Sequence, residues 1–186
     1  MERITVKSFI VRGGAVVPVM ITASMESGIG LHLVGHLQDV QVKETLLRTV
    51  TALGSLGYHI PGKKIVINVK AEDGGRIIEG AAGLDLPVAV ALLAVSGVPI
   101  ARKHLEEYAM VGELGLDGSV RRVRYAYEMA LAAPRRIIVP TQEASSFCER
   151  PGITGCHKVY VAGNVTDVTH IFRDPEMFDI DNVQLR

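Results

Sequence analysis

The chain has 186 residues, 48% hydrophobic and 22% charged, a globular balance that excludes a wholly disordered chain and one built of membrane spans. Lys plus Arg and Asp plus Glu number 20 each, so no net field draws it to nucleic acid, membrane or acidic partners, and any such binding is local. One domain with at most an appended tail is expected at this length.

Residues 3–12 and 14–24 are rich in Val and Ile on either side of Gly13-Gly14 and predict a hairpin, with a third strand over Gly30–Leu37. From Asp39 the pattern changes to Val42, Leu46, Val50, Leu53 and Leu56, with Leu47 beside them, the spacing of one helical face; Asp39 is a candidate cap and Gly57 a stop. The β-branched run Lys64–Val69 between Pro61-Gly62 and Asp73-Gly74-Gly75 predicts a fourth strand. The stretch Glu79–Pro87 organises the chain: small residues Gly80–Gly83, Asp85 as a candidate N-cap and Pro87 in the first turn open a helix that runs through Ala, Val and Leu alone to Ser96-Gly97. With no polar face and about half the length needed to cross a bilayer, it predicts a buried central helix.

Tyr108–Gly118 predicts a strand entering a tight turn, with Ser119–Val123 as the return arm of a second hairpin. Short helices at 124–133, 141–147 and 164–172 then alternate with strands at 136–139 and 158–161. The tail 174–186 is mixed acidic and apolar without a period, a linker or a docking extension to the domain at 1–173. Met1–Ile4 lacks the apolar run of a secretory signal, and Cys148 and Cys156 are too few for a disulfide framework, so a cytoplasmic protein with free thiols is expected.

Gly57–Lys64 has the spacing of a phosphate-binding P-loop, but Lys64 stands where Ser or Thr would hold magnesium, and a helix leads into a strand where the loop needs the reverse order. Cys148, Cys156 and His157 fall short of a four-ligand zinc site, and the six histidines are scattered, so no metal is expected. Asp85 and Glu113 form a conceivable carboxylate pair, against which stand a capping role for Asp85 and backbone hydrogen bonding for Glu113. Arg121, Arg122 and Arg124, with Lys63 and Lys64 elsewhere, read either as a solvated face or as a phosphate-contacting patch.

Gly83-Leu84-Asp85-Leu86-Pro87, followed by Gly112-Glu113 and by Asp117-Gly118, resembles the N-terminal domain of magnesium-chelatase-like AAA+ proteins of the ComM and YifB type. Val34–Leu53 and Lys64–Asn68 agree with that family's first helix and following strand. The sequence departs from the pattern at Ile78, where Lys is expected, and the approach to the first helix and the Gly80–Asp85 turn are each a residue long. The resemblance implies an α+β sandwich with the fold of the Lon protease proteolytic domain, related to ribosomal protein S5 domain 2.

Lon-type peptidases place a Ser nucleophile at the start of the central helix and a Lys on the helix after the Gly-Glu hairpin. Here Ala81 or Ala82 and Tyr127 occupy those places; no Ser, Thr or Cys lies between Ser55 and Ser96, and no Lys between Lys103 and Lys158. No catalytic residue is therefore assigned, since an alkoxide needs a base within reach. The resemblance implies a binding or assembly role on DNA, an AAA+ module in cis that uses ATP and Mg, a hexamer and no membrane partner. Two alternatives are a hydrolase using Tyr127 or Glu113, disfavoured because a tyrosine is a poor nucleophile without a nearby cation or metal, and a stand-alone protein-binding scaffold.

Overall fold

Gly13 and Gly14 both have positive φ, 56° and 81°, the geometry of a tight hairpin turn, and join β1 (Arg3–Arg12) to β2 (Ala15–Glu26). In this computed structural model, residues 3–150 and 158–183 are described. Downstream come β3 (Gly30–Gly35), α1 (Asp39–Ser55), β4 (Lys64–Ala71), α2 (Asp85–Val95), α3 (Arg102–Glu107) and β5 (Tyr108–Met110). The rest comprises β6 (Glu113–Leu114), β7 (Val120–Arg121), α4 (Ala126–Ala132), β8 (Arg136–Pro140), α5 (Ala144–Cys148), β9 (Lys158–Ala162), α6 (Val165–Arg173) and α7 (Ile180–Val183).

Seven strands form one mixed sheet in the order β3-β4-β2-β1-β5-β8-β9. The β1–β2 and β2–β4 pairs are antiparallel, and the other four neighbour pairs are parallel. The two halves bury themselves differently. In β2, Val17, Val19, Ile21 and Ala23 are buried while the residues between them are not, the alternation of a sheet with one covered face. Ile137–Val139 of β8 are buried without a break, as parallel strands packed on both faces require. One core joins α2 and α6 to the first face, and a second cluster, with Ala126, Met129 and Phe147 from α4 and α5, covers the other face of β5, β8 and β9.

The eleven-residue α2 is the buried centre, Asp85 to Leu93 lying wholly inside. The face of α1 differs from its sequence pattern. Thr45, Thr49, Ala52 and Leu53 are buried, while Leu47 and Val50 are exposed. Small side chains on the inner face let two helices approach closely, and Arg48 must reach a partner on α2, so the helix is rotated from its most apolar face. The expected cap also moves: Asp39 begins the helix, and the N-cap is Gln38, whose backbone N–H donates to Gln41 Oε1 at 2.9 Å. At the other end Tyr58 N–H bonds Leu53 O and Gly57 N–H bonds Gly54 O, both at 3.0 Å, a helix stop that uses Gly57 at φ 83°.

The second hairpin is shorter than expected. Tyr108–Met110 stays in the main sheet, and the chain turns at Gly112 into a separate two-stranded β6–β7 unit pairing Glu113 with Arg121 and Leu114 with Val120. Helix α3 carries no distinguishing pattern in the sequence and packs on β1. After α6, Pro175–Phe178 forms a 3-10 turn, Asp179 bridges to Tyr160 of β9, and Ile180 is buried in the second cluster.

Candidate functional site

The turn before α2 is joined to the β5–β6 connection by backbone. Gly112 N–H donates to Gly83 O at 2.9 Å, and Leu86 N–H donates to Gly112 O at 3.0 Å. A Cβ at Gly112 would stand 2.6 Å from Val120 Cγ1 and 3.3 Å from Leu86 Cβ, so only glycine permits this approach. Gly83 is similarly close to Val123, at 3.2 Å. Pro87 is the third residue of α2, where no intrahelical donor is missed.

Asp85 does not cap α2; its side chain makes no capping bond there. It is fully buried and receives Arg48 Nε at 2.6 Å on Oδ2 and Nη2 at 3.2 Å on Oδ1, with Leu114 N–H also donating to Oδ2 at 3.2 Å. One carboxylate thus ties α1, α2 and β6 together. Burial pushes it up to about 6 against the pull of the guanidinium. Glu113, the other member of the conceivable pair, takes no backbone amide bond among the described residues.

Asp117 closes the β6–β7 loop. Ser119 donates to its Oδ1 from the backbone at 3.0 Å and from the hydroxyl at 2.6 Å, which holds the carboxyl below its ordinary range. Gly118, at φ 86°, approaches Leu56 at 2.5 Å for a built Cβ and accepts from Val165 N–H, so the loop tip sits between the ends of α1 and α6.

Beside these joints lies a cleft of about 400 Å³. Phe9, Val11, Val111, Val123 and Met129 make it apolar, the Gly80–Gly83 turn with Ala82 forms one side, and Glu79, Glu113, Arg122, Arg124 and Tyr125 supply its polar groups. Arg122 is fixed from behind by Gln142 O at 2.9 Å and by Glu143 at 3.6 Å, yet its side chain is 61% exposed. Arg124 is exposed and makes no hydrogen bond or ion pair among the described residues. Tyr125 is 52% exposed and is the one non-glycine described residue with positive φ, at 63°. Sequence reasoning passed it over, because left-handed backbone at a tyrosine leaves no signature in residue type. Tyr127 instead packs on Phe147, with Arg150 over its ring at 5.2 Å, and does not line the cleft.

Arg121 is exposed on β7, and its charge acts on Asp117. Lys63 and Lys64 are not brought to the arginines. Lys64 opens β4 opposite Glu26, which it contacts at 3.0 Å, beyond the Arg3–Ser24 end of the β1–β2 ladder, whereas the cleft opens near the Val11–Val16 end. Ten residues of β2, from Val16 to Glu26, separate the cleft's level from that of Lys64, about 33 Å of strand. The loop Gly57–Lys63 joins α1 to β4, helix before strand, as its sequence context indicated. A larger hollow of about 580 Å³ between Lys7, Glu72, Glu107 and Arg136 contains none of the motif residues. Cys156, His157 and the side chain of Cys148 lie outside the described residues. Among the described residues no three His, Cys, Asp or Glu side chains cluster to hold a metal, and no helix is long and apolar enough to cross a membrane.

Comparison with known proteins places this geometry in a family. The family described as subunit ChlI of Mg-chelatase matches residues 19–143, which include both sides of the Gly83–Gly112 joint and the cleft arginines. YifB of Salmonella typhimurium is 40% identical over 136 residues, covering 69% of this chain and 25% of that protein. YifB of Escherichia coli is 41% identical over 130 residues, covering 66% and 24%. Competence protein ComM of Haemophilus influenzae is 30% identical over 154 residues, covering 79% and 28%. The chain spans about a quarter of the length of these curated relatives. With two-thirds of its length matched, the chain belongs to the Mg-chelatase ChlI family and is of the YifB and ComM type.

Proposed function

We propose that this chain is the non-catalytic, Lon-protease-like domain of a ComM-type AAA+ protein, and that it engages DNA through the arginines that follow β7. The observation that carries the reading is the turn ahead of α2. Where a Lon-type peptidase has its serine, this turn offers Ala81 and Ala82, and among the described residues no Ser, Thr, Cys, Lys or His lines the cleft beside it. A cleft without that serine and its lysine lacks the Lon-type pair, and the reading takes it as a binding site. Its rim carries Arg122 and Arg124, which suit phosphate. The mixed sheet with a buried central helix is compatible with the S5 domain 2-like sandwich that the reading requires.

In this reading ATP and Mg belong to an AAA+ module in cis, assembly is as a hexamer, and the work is cytoplasmic branch migration during natural transformation. The Haemophilus influenzae relative is named a competence protein, which supports the link. The test is fluorescence anisotropy of labelled single-stranded, duplex and forked DNA at two salt concentrations, with Arg121→Ala/Arg122→Ala/Arg124→Ala alongside. Binding weakens with salt, and the log-log slope falls by about 0.7 to 0.9 for each phosphate contact the variant loses. Absence of binding at low salt refutes DNA engagement, and peptide turnover lost on Glu113→Gln refutes the non-catalytic role.

A further inference from the structure

We propose that the cleft between the Gly80–Leu84 turn and Tyr125 receives one unstacked base of a single-stranded nucleic acid, stacked on the Tyr125 ring, while Arg122 and Arg124 hold the flanking phosphates. This rests on the DNA-engaging reading above and names the form of DNA that the site takes.

Three features point to a base. The cleft, about 400 Å³, has the size of a small-molecule site and an apolar lining that includes Phe9, Val111 and Met129. An apolar floor suits the π-face of any base and rejects a phosphate. The exposed charges of the cleft are Arg122, Arg124 and Glu79, two cations to one carboxylate, and the half-buried charge is Glu113. A phosphate drawn into the cleft would meet that carboxylate, so the phosphates stay at the rim and the base enters. A paired base inside a duplex cannot follow without being unstacked, so the site favours single strands.

Tyr125 supplies the third feature. Its φ of 63° is backbone that L-residues avoid, and it leaves a large ring half-exposed at the cleft mouth. Its carbonyl accepts from Met129 N–H at 3.0 Å, so the first turn of α4 fixes the conformation. An exposed aromatic residue lining the same cleft as two arginines is the combination by which single strands are held without sequence preference.

The experiment compares a labelled oligothymidine with a blunt duplex of equal length, using the chain and its Tyr125→Phe, Tyr125→Ala and Ala82→Phe variants, each first checked for native circular dichroism. The wild type binds the single strand more tightly than the duplex. Tyr125→Ala weakens single-strand binding about 5- to 150-fold, the size of one lost base stack, and leaves duplex binding unchanged. Tyr125→Phe, which keeps the ring, binds like wild type. Ala82→Phe, which fills the cleft and keeps Tyr125, loses the single-strand preference, and it carries the test if Tyr125→Ala does not fold. Equal binding of single strand and duplex, or single-strand binding untouched by both Tyr125→Ala and Ala82→Phe, overturns the proposal while salt-sensitive, arginine-dependent binding leaves the broader reading intact. No binding of either DNA by the wild type overturns both.

Discussion

Arg48 on α1 and Asp85 at the start of α2 meet in a two-pronged ion pair, 2.6 and 3.2 Å long, with the carboxylate fully buried and the guanidinium mostly so. Burying a charge is costly, and the pair is tolerated because each oxygen is occupied and Leu114 N–H adds a third donor. Removing one partner leaves the other charge stranded. Arg48→Met therefore destabilises the fold by about 3 kcal/mol at neutral pH, whereas Arg48→Met/Asp85→Leu recovers most of that loss. Urea denaturation of the two variants and wild type measures both, and a double variant as unstable as the single one contradicts the account.

The same carboxylate makes stability depend on pH. Its folded value of about 6 lies above the unfolded value near 3.9, so the folded chain holds the proton more tightly. Its stabilising contribution is full below about pH 4 and is lost as pH rises through about 6. Relative to Asp85→Asn, the wild type loses up to about 3 kcal/mol across that window, two pH units at about 1.4 kcal/mol each. Chemical denaturation of both proteins between these limits reads the difference, and a constant gap between them argues against the shift.

Gly112 is predicted to be intolerant for lack of room, since its backbone φ is unremarkable. Gly112→Ala sets a methyl against Val120, 2.6 Å from its Cγ1, and is expected to cost about 2 kcal/mol. Adding Val120→Ala makes space, so the double variant costs less than the sum of the two single ones. A thermal-denaturation cycle that comes out additive removes the steric explanation.

Tyr125 is a case where stability and binding part company. Relief of left-handed strain favours glycine by about 1–2 kcal/mol, and glycine's greater unfolded freedom takes back about 0.5–1. Tyr125→Gly is thus expected to be about 1 kcal/mol more stable than Tyr125→Ala, which keeps the strain without the ring. Equal melting of the two variants would mean that the backbone there is unstrained.

The strands, the first hairpin and the buried central helix were legible in the sequence because each is written in a local period: alternation in β2, a β-branched run in β4, an all-apolar stretch in α2. The rotation of α1 was not. Its most apolar face included Leu47 and Val50, but the inner face is chosen by where Arg48 finds a partner on another element, and Thr45 and Thr49 are buried as a result. The role of Asp85 was misread for the same reason. A short polar residue just before a helix reads as a cap, and only the fold shows the arginine 37 positions earlier that claims it. The resemblance gave the family. It could not give Tyr125, whose position at the cleft depends on a backbone angle, nor the separation of Lys63 and Lys64 from the arginines, which depends on sheet register.

Gly112 and Gly118 are held by want of space, whereas most side chains lining the cleft beside them take no part in those close approaches. Scaffold and contents can therefore vary on separate accounts: the frame rejects almost any change, and the lining accepts many. A lineage with such a frame can change what its cleft holds in single steps, each of them folded, and still be recognised as kin by the frame alone.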